Sequence, residues 1–351
     1  MNYHGFEVFF LYLGNADCIF IRYYNQGIKS TVLIDGGCKR HAPIVRDFLR
    51  SLGESTINHL ICSHHHEDHA AGLVELVKDT TLVFGQAWVH TGLLAIDGID
   101  RNRFLIYENL LRRIQESKKI QTDLLAALNA RRIPIQEPFA FAEIGPIAIV
   151  SPTREFYNAQ LGLIHEDAIA KALDDRYKKR DLRNLMETVF GRAAETEEEE
   201  GELGGEPTSP ENEISTVLVL PWTNTTGITQ KFLLTSDSGT AALSELKARS
   251  QNASDLLRNL EWMQIPHHGS RRNLNSDLIN YFNPKTAFVS AEGSKKHPST
   301  KLVNAIKQNG RTVYSTHYPP QKTEGTWLRQ TVGTVPELST TPATSLWNSA
   351  A

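Results

Sequence analysis

Four candidate metal ligands lie within a stretch of six residues near the N-terminal end of the chain. The segment reads His64-x-His66-x-Asp68-His69. In an extended or tightly turned segment, His64 and His66 point the same way and can bind one ion, while Asp68 and His69 turn toward a second. Imidazole and carboxylate groups suit zinc, manganese and iron. The spacing therefore predicts a metal site, in preference to the alternative of a solvated histidine-rich loop.

The elements around this motif are predicted to hold it at the end of a buried strand. Residues 57–62 are largely apolar and predict a strand, and residues 70–78 have the spacing of a helix. Loops at strand ends often carry functional side chains. Further polar side chains also follow predicted strands, namely Asp35, Asp237 and the pair His267-His268. One metal centre can gather all of them.

Composition predicts a globular protein in a reducing compartment. The chain has 351 residues, of which 40% are hydrophobic, and its net charge of -3 excludes a wholly basic surface. The odd number of cysteines (Cys18, Cys38 and Cys62) argues against a disulfide framework. Residues 1–21 resemble neither a signal peptide nor a membrane-spanning helix. We expect a soluble cytoplasmic protein that does not associate with a membrane.

The chain is predicted to form a single domain over residues 1–335. Helical insertions are predicted at about 100–130 and 154–210, and the second includes a disordered acidic loop at 193–211. The Ser/Thr/Pro/Ala-rich tail, residues 336–351, is expected to be disordered. In the second half, strands are predicted at residues 213–221, 230–234, 261–266 and 286–290, and helices at 241–248, 255–260, 277–282 and 300–309.

This order of strand ends resembles the metallo-β-lactamase superfamily, whose signature is H-x-H-x-D-H. The resemblance implies an α/β fold, a four-layer αββα sandwich that seats one or two metals between two sheets. More narrowly, the chain resembles the metallo-β-lactamase domain of ComEC-type competence proteins, as a standalone soluble relative. The residues that carry this resemblance are Leu13 to Cys18, Leu33 to Gly37, the His64 motif, Asn212, Ser215 to Leu218, Leu234 to Asp237, Pro266 to Ser270, and His297-Pro298.

The resemblance implies two divalent metal ions, zinc or manganese, and a role for each ligand. His64 and His66 would bind the first ion, Asp68 and His69 the second, and Asp237 would bridge them. The last ligand is His267 or His268. Relatives with a single histidine before the glycine favour His268. Asp35 would orient the liganding histidines through hydrogen bonds, and His297 would support the site from beside the ligands.

One part of the superfamily pattern is missing. Superfamily hydrolases supply a further histidine after the strand predicted at residues 147–150, where this chain reads Ser151-Pro152-Thr153. The ComEC-type branch shares this gap, which leaves the first metal short of a protein ligand. That site would be open to water or substrate, weaker, or filled by manganese. His165 and His90 are alternatives for the vacant ligand position.

The implied reaction is hydrolysis by a metal-activated water, with Asp68, Asp237 and His268 as catalytic residues. Basic side chains flank the predicted strand ends and would favour a phosphate-bearing substrate. They are Lys39, Arg40, Arg271, Arg272, Lys295 and Lys296. The resemblance to the ComEC-type branch implies a phosphodiesterase, most plausibly a nuclease that acts on DNA.

Two other functions stay open. The chain could hydrolyse another bond, such as a phosphorylcholine ester, a lactone or a β-lactam-like amide, which predicts a neutral or apolar pocket. It could also be a non-catalytic subunit that binds a protein partner, with the insertions as docking surfaces. Standalone relatives occur beside bacterial defence genes, so antiviral defence is a further option. The oligomeric state is not indicated.

Overall fold

The computed structural model describes residues 3–92, 108–173, 201–250, 256–293, 297–317 and 323–336. These residues form two sheets of seven strands each, with helices on the outer faces. The strands of the first sheet are β1 (His4–Leu11), β2 (Ile19–Asn25), β3 (Ile28–Ile34), β4 (Thr56–Ile61), β5 (Val83–Trp88), β6 (Ile135–Gln136) and β14 (Trp327–Thr334). Those of the second are β7 (Glu143–Ile144), β8 (Ile147–Ser151), β9 (Val217–Thr223), β10 (Thr229–Leu234), β11 (Trp262–Gln264), β12 (Thr286–Val289) and β13 (Thr312–Ser315).

The helices of the described residues lie mostly between strands. They are α1 (Ala42–Ser51), α2 (Glu67–Lys78), α3 (Glu108–Ala130), α4 (Arg154–Leu173), α5 (Pro210–Glu213), α6 (Thr240–Ser250), α7 (Ser276–Phe282) and α8 (Thr300–Lys307). Short 3-10 turns occur at Lys39–His41, His267–Gly269 and Gln308–Gly310. No helix in the described part of the chain is long and apolar enough to cross a membrane.

The first sheet has the order β14-β1-β2-β3-β4-β5-β6 and brings two predicted strand ends together. β2 and β3 form a hairpin whose turn residues Gln26 and Gly27 have φ of 50° and 82°, as a tight hairpin turn requires. From β3 to β6 the strands are parallel. The carboxyl ends of β3 and β4 therefore lie at one edge, where Asp35 and the His64 motif follow them.

The second sheet has the order β13-β12-β11-β10-β9-β8-β7. β7 to β10 pair antiparallel, whereas β10, β11, β12 and β13 pair in parallel. The carboxyl ends of the parallel strands share one edge, because parallel neighbours run in the same direction. Asp237, His267 and Ser290 follow three of these strands there.

Successive side chains along each strand point to opposite faces of its sheet, so the buried apolar residues form three layers. One layer lies between the two sheets, and the other two lie between each sheet and its helices. On β1, Phe10 points between the sheets, whereas Phe9 and Leu11 point toward the helices. Between the sheets the Phe10 ring stacks on Phe288 at 5.0 Å and meets Trp262 edge-on at 5.7 Å. Helices α1 and α2 cover the first sheet, and α6, α7 and α8 cover the second. The predicted four-layer αββα sandwich is confirmed.

Several element predictions differ from the structure. Helix α2 begins at Glu67 and not at residue 70, so Asp68 and His69 lie in its first turn. The helix predicted at 255–260 is wrong, because residues 256–260 form turns and bends. β14 was not predicted, since this edge strand carries polar residues on both faces and lacks the alternation of a half-buried strand.

The predicted domain limits are still a prediction. Residues 201–209 of the predicted acidic loop are described as turns that lead into α5, and residues 193–200 lie outside the described residues. The predicted tail, residues 336–351, also lies almost wholly outside them. Of the insertions, the described parts are helical from Glu108 to Ala130 and from Arg154 to Leu173.

Candidate metal centre

The motif after β4 is held by Asp35, which follows the neighbouring strand β3. The Asp35 carboxylate accepts hydrogen bonds from the backbone N–H of Ser63 at 2.8 Å and from its hydroxyl at 2.6 Å. The same carboxylate lies 2.8 Å from Nδ1 of His69. When Nδ1 of His69 carries the hydrogen that is donated to Asp35, the lone pair of the ring lies on Nε2. Asp35 therefore sets the tautomer of His69 that metal binding needs. These are the contacts that the predicted role of Asp35 requires, and the role itself stays a prediction.

Asp237 stands at the centre of the cluster, at the end of β10. Its Oδ1 lies 3.2 Å from Nε2 of His69, and its Oδ2 lies 3.8 Å from Nε2 of His64 and 3.7 Å from Nε2 of His267. Asp237 is buried. Burial raises the pKa of this carboxyl, but His69 and His267 outweigh it and hold the pKa well below its usual range. The carboxylate is therefore charged and faces imidazoles on two sides.

His268 meets Asp68 on the other side of the cluster. Nε2 of His268 lies 3.2 Å from Oδ2 of Asp68, and its Nδ1 lies 3.0 Å from the carbonyl oxygen of Ser290. Burial lowers the pKa of His268, but the bond to Asp68 and the charge of Asp237 raise it to about 9. The side chain of Asp68 is 33% exposed. Asp68 therefore lies on the open side of the site.

The ligand atoms form two groups of metal-binding size. One group is His64, His66 and Asp237, the other is Asp68, His69 and His268, and within each group all ligand atoms lie within 4.8 Å of one another. Burial, together with His69 and His66, lowers the pKa of His64 well below its ordinary value, so this imidazole is neutral and can donate a lone pair.

The donor set fits divalent ions. Nε2 of His64, Nε2 of His69 and Oδ1 of Asp237 are buried without a hydrogen-bond partner among the described residues. Buried polar atoms are almost always hydrogen-bonded, so three that converge on one point without such a bond are typical of a metal site.

Asp17 is a residue of this cluster that the sequence analysis did not assign to the site. It is buried, and its Oδ2 accepts a hydrogen bond from Gln264 at 3.0 Å, while Oδ1 has no hydrogen-bond partner in the described residues. With His69 and Asp237 it makes a third group of possible ligands. Burial raises the pKa of Asp17, against the opposing charges of His268 and His69. The only signal was its place in the motif Leu13 to Cys18.

The structure brings only some of the six predicted substrate-binding lysines and arginines to the site. Lys39 and Arg40 are exposed on the turn that follows Asp35, and Arg40 pairs with Glu324 at 3.0 Å. Arg271 is only 3% exposed, and Glu206 lies 3.5 Å from it and 3.1 Å from Arg272. Lys295 and Lys296 lie outside the described residues.

Three further histidines were predicted to lie at or near this site. The ring of His297 lies beside the paired histidines, with its centroid 5.9 Å from that of His267 and 6.2 Å from that of His268. His90 is buried instead against Tyr157, with ring centroids 4.5 Å apart, and is in neither ligand group. The side chain of His165 lies outside the described residues.

Part of the chain matches a known protein family. Residues 11–85 match the profile of the family described as the metallo-beta-lactamase superfamily. No curated protein matches the chain.

Several solved structures are similar to this chain. The long form RNase Z from yeast is 10% identical, with a TM-score of 0.35, over 82% of this chain and 37% of its own. The metallo-β-lactamase MIM-1 from Novosphingobium pentaromativorans is 14% identical, with a TM-score of 0.32, over 77% and 79%. The hydrolase AbOPH in the beta lactamase superfamily is 9% identical, with a TM-score of 0.36, over 90% and 89%. The chain thus spans 37% of the length of the yeast protein.

The family match and the observed sandwich confirm the resemblance to the metallo-β-lactamase superfamily, a class of metal-dependent hydrolases. The chain resembles that superfamily over residues 11–85 and in its two-sheet sandwich, and it has a candidate His/Asp metal centre at the common edge of the two sheets. The narrower resemblance to the ComEC-type branch is still a prediction.

Proposed function

We propose that this protein is a metal-dependent phosphodiesterase, a nuclease that acts on DNA. The observation that carries the proposal is the pair of ligand groups around Asp237, because such a centre can bind two ions close together. Two-metal centres stabilise both the attacking and the leaving oxygen of a phosphoryl displacement.

Each residue of the centre has a part in this proposal. His64, His66 and Asp237 would hold one ion, and Asp68, His69 and His268 the other. Bound ions of this kind lower the pKa of water toward neutrality and polarise the bond to be cleaved. Asp68 lies on the open side, with its side chain 33% exposed, and there it would orient the attacking water. Nε2 of His268 lies 3.2 Å from Oδ2 of Asp68, a separation that allows both atoms to bind the same ion.

DNA is the proposed substrate because of the ComEC-type motifs and the exposed charge beside the site. The side chains of Lys39 and Arg40 are 73% and 66% exposed on the turn that follows Asp35-Gly36-Gly37. Phosphate backbones bind to such exposed cations in a salt-dependent way. Lys295 and Lys296 stay part of the proposed substrate surface, and the two insertions stay proposed docking surfaces for a protein partner.

One observation favours hydrolysis of a different bond. Glu206 contacts both Arg271 and Arg272, Arg40 pairs with Glu324 and Lys39 with Glu75. Both of the predicted basic pairs that the structure describes therefore lie against carboxylates of the same chain. A less basic rim suits a neutral substrate, such as a lactone or a β-lactam-like amide. This is the second candidate function.

A substrate panel separates the two candidates. Protein supplied with Mn²⁺ or Zn²⁺ is incubated with single- and double-stranded DNA, RNA, bis-p-nitrophenyl phosphate and nitrocefin. We expect cleavage of DNA and of the small phosphodiester. Cleavage of nitrocefin alone would favour the second candidate, and no cleavage of any substrate with either metal would favour a non-catalytic subunit.

Variants connect any activity to the site. His66→Ala and Asp237→Ala should each lower the rate by about 1,000-fold or more while the protein stays folded, because each removes a metal ligand. His4→Ala, at an exposed histidine of β1, is the matched control and should keep full activity. A His66→Ala or Asp237→Ala protein with wild-type rates would refute the site.

Charge reversal tests the substrate class. Lys39→Glu combined with Arg40→Glu should raise KM for DNA and flatten its salt dependence, with little change for a neutral substrate. The matched control is Lys78→Glu, at an exposed lysine in the last turn of α2. Equal effects of the two changes would argue against a nucleic-acid contact at Lys39 and Arg40.

A further inference from the structure

We infer that His267 and His268 bind different metal ions, and that His267 takes the place of the histidine missing after β8. His267 would join His64, His66 and Asp237 at the first ion, whereas His268 would join Asp68 and His69 at the second. This inference rests on the metal binding in the proposed function, but not on the identity of the substrate.

His267 faces Asp237, one of the three members of the first ligand group. Its Nε2 lies 3.7 Å from Oδ2 of Asp237, the same oxygen that faces Nε2 of His64 at 3.8 Å. Two imidazole nitrogens therefore approach one carboxylate oxygen at almost equal distances. Ligand atoms around one ion of this kind are each about 2 Å from it and hence about 3–4 Å apart.

Asn273 fixes the tautomer of His267. The amide nitrogen of Asn273 donates to the carbonyl oxygens of Asp237 and Ser238, at 2.9 and 3.2 Å, so its Oδ1 is left to face Nδ1 of His267 at 3.1 Å. Nδ1 then carries the hydrogen, and the lone pair lies on Nε2. Asn212 Nδ2 lies 3.3 Å from the same Nδ1 and donates to Thr208 at 2.9 Å. Liganding histidines are commonly oriented by such an acceptor.

His268 is held the same way but points elsewhere. The carbonyl oxygen of Ser290 accepts from its Nδ1 at 3.0 Å, which leaves Nε2 facing Asp68 at 3.2 Å. The rings of His267 and His268 have centroids 5.9 Å apart and planes at 64°. Adjacent histidines that pointed at one ion would need their nitrogens to converge, and these diverge toward two different carboxylates.

An unusual backbone conformation at His267 and His268 makes their side chains point in different directions. His267 and His268 have φ of 50° and 52°, in the left-handed region that side chains other than glycine rarely adopt. Gly269 follows at 86°. Such strain persists where the surroundings impose it, and it occurs often at functional sites. Here it turns two consecutive side chains to opposite parts of one cluster.

The remaining candidates do not reach the first ligand group. β8 ends at Ser151, and His90 lies behind the site against Tyr157 and Phe139. His165 and His90 were the alternatives predicted from the sequence for that position; the side chain of His165 lies outside the described residues, and His267, which was considered only as the last ligand, faces Asp237.

Cadmium-113 NMR tests the assignment without any activity measurement. The full chain is loaded with ¹¹³Cd²⁺, and proton–cadmium correlation spectra report which imidazole protons couple to which ion. We expect two cadmium signals, one correlated with three histidines (His64, His66 and His267) and one with two (His69 and His268). A single cadmium signal, or two histidines on each of two signals, would overturn the inference.

Asparagine variants assign the correlations. Asparagine tolerates the left-handed backbone, so His267→Asn and His268→Asn preserve the turn. His267→Asn should remove a correlation from the same cadmium signal as His64→Asn does, and His268→Asn one from the other signal. The affinity for the first ion should fall by about 100-fold in His267→Asn. His4→Asn is the matched control and should change nothing.

The outcomes separate this inference from the proposed function. Cadmium spectra as expected, together with no cleavage of DNA, would refute the nuclease and leave the ligand assignment in place. A correlation of His267 with the same cadmium as His268 would refute the assignment, whatever the protein cleaves.

Discussion

Asp35 is a buried carboxylate whose hydrogen bonds position residues of the candidate metal centre. It has a left-handed backbone with φ of 57°, and it accepts from the N–H and the hydroxyl of Ser63 and from Nδ1 of His69. Its charge is thus distributed over three bonds that position the loop after β4. Loss of that charge leaves the tautomer of His69 undetermined.

Asp35→Asn should therefore weaken metal binding. Asparagine keeps the size and tolerates the backbone, but its amide nitrogen cannot accept the His69 hydrogen bond. We expect the affinity for the second ion to fall about 10- to 100-fold, as for other residues that orient a ligand. Competition with a chromophoric chelator measures it. Asp47→Asn, at an exposed position of α1, is the control, and equal affinities of the two variants would contradict the role of Asp35.

The N-terminus of helix α6 is capped by a buried glutamate from α5. The carboxylate of Glu213 accepts the N–H of Ala242 at 2.8 Å and that of Ala241 at 3.3 Å, which satisfies donors of the first turn that have no partner within the helix. Glu213 is buried. Because α6 follows Asp237 directly, this cap also holds the end of β10 at the metal centre.

Glu213→Ala should destabilise the protein by about 1–3 kcal/mol, because it leaves buried N–H groups without acceptors. Urea unfolding at pH 6 measures the change. The control is Glu245→Ala on the same helix, where a partly exposed pair with Arg249 is lost and a change of about 0.5 kcal/mol or less is expected. A loss for Glu213→Ala no larger than that of the control would contradict the capping role.

The stability difference between wild type and Glu213→Ala should change with pH in a defined direction. Burial raises the pKa of Glu213 from 4.5 to about 7, against the backbone N–H bonds that lower it. The folded protein therefore keeps a proton that the unfolded chain releases near pH 4.5. The contribution of Glu213 is fully present below that pH and declines as the pH rises toward 7. The stability gap between wild type and Glu213→Ala should thus narrow from pH 5 to pH 8, and a gap that widens would contradict the shift.

The candidate metal centre lies between the two sheets and draws its residues from both. The His64 motif follows the first sheet, whereas Asp237, His267 and His268 follow the second. The hydroxyls of Ser63 and Ser236 meet at 2.7 Å, and the N–H of Thr216 donates to the carbonyl oxygen of Ser63 at 3.1 Å. Bound ions would therefore connect both halves of the sandwich, and only the folded chain presents all the ligands.

Removal of metal should lower the stability of the fold. A ligand at 100 times its dissociation constant stabilises the folded state by about 2.7 kcal/mol, which corresponds to a melting temperature about 4 °C higher for a chain of this size. Differential scanning calorimetry with Zn²⁺ or with EDTA measures it. Asp237→Asn should abolish most of the gain, and equal melting temperatures with and without metal in the wild type would refute a bound ion.

Local patterns in the sequence were sufficient to predict much of the fold and most of the polar residues that gather at the candidate metal centre. The H-x-H-x-D-H spacing, the apolar strand before it and the acids at strand ends are all short-range features. Most strands and helices of the second half were predicted within a few residues, because turn and helix signals are local. β14 and the turns at 256–260 were missed, since an edge strand gains its pairing only from β1, a partner more than 300 residues away in the chain.

Only the tertiary structure decided which polar residues meet and in what orientation. It brought Asp17 into the cluster, left His90 behind it, and placed Glu206 against Arg271 and Arg272. It also turned His267 and His268 toward different carboxylates. The sequence by itself determined the chemistry of the donors and their place at strand ends, because residue type and local pattern carry that information. Which of these residues come into contact depends on how the two sheets stack. Local sequence patterns contain no information about distances between residues on different sheets.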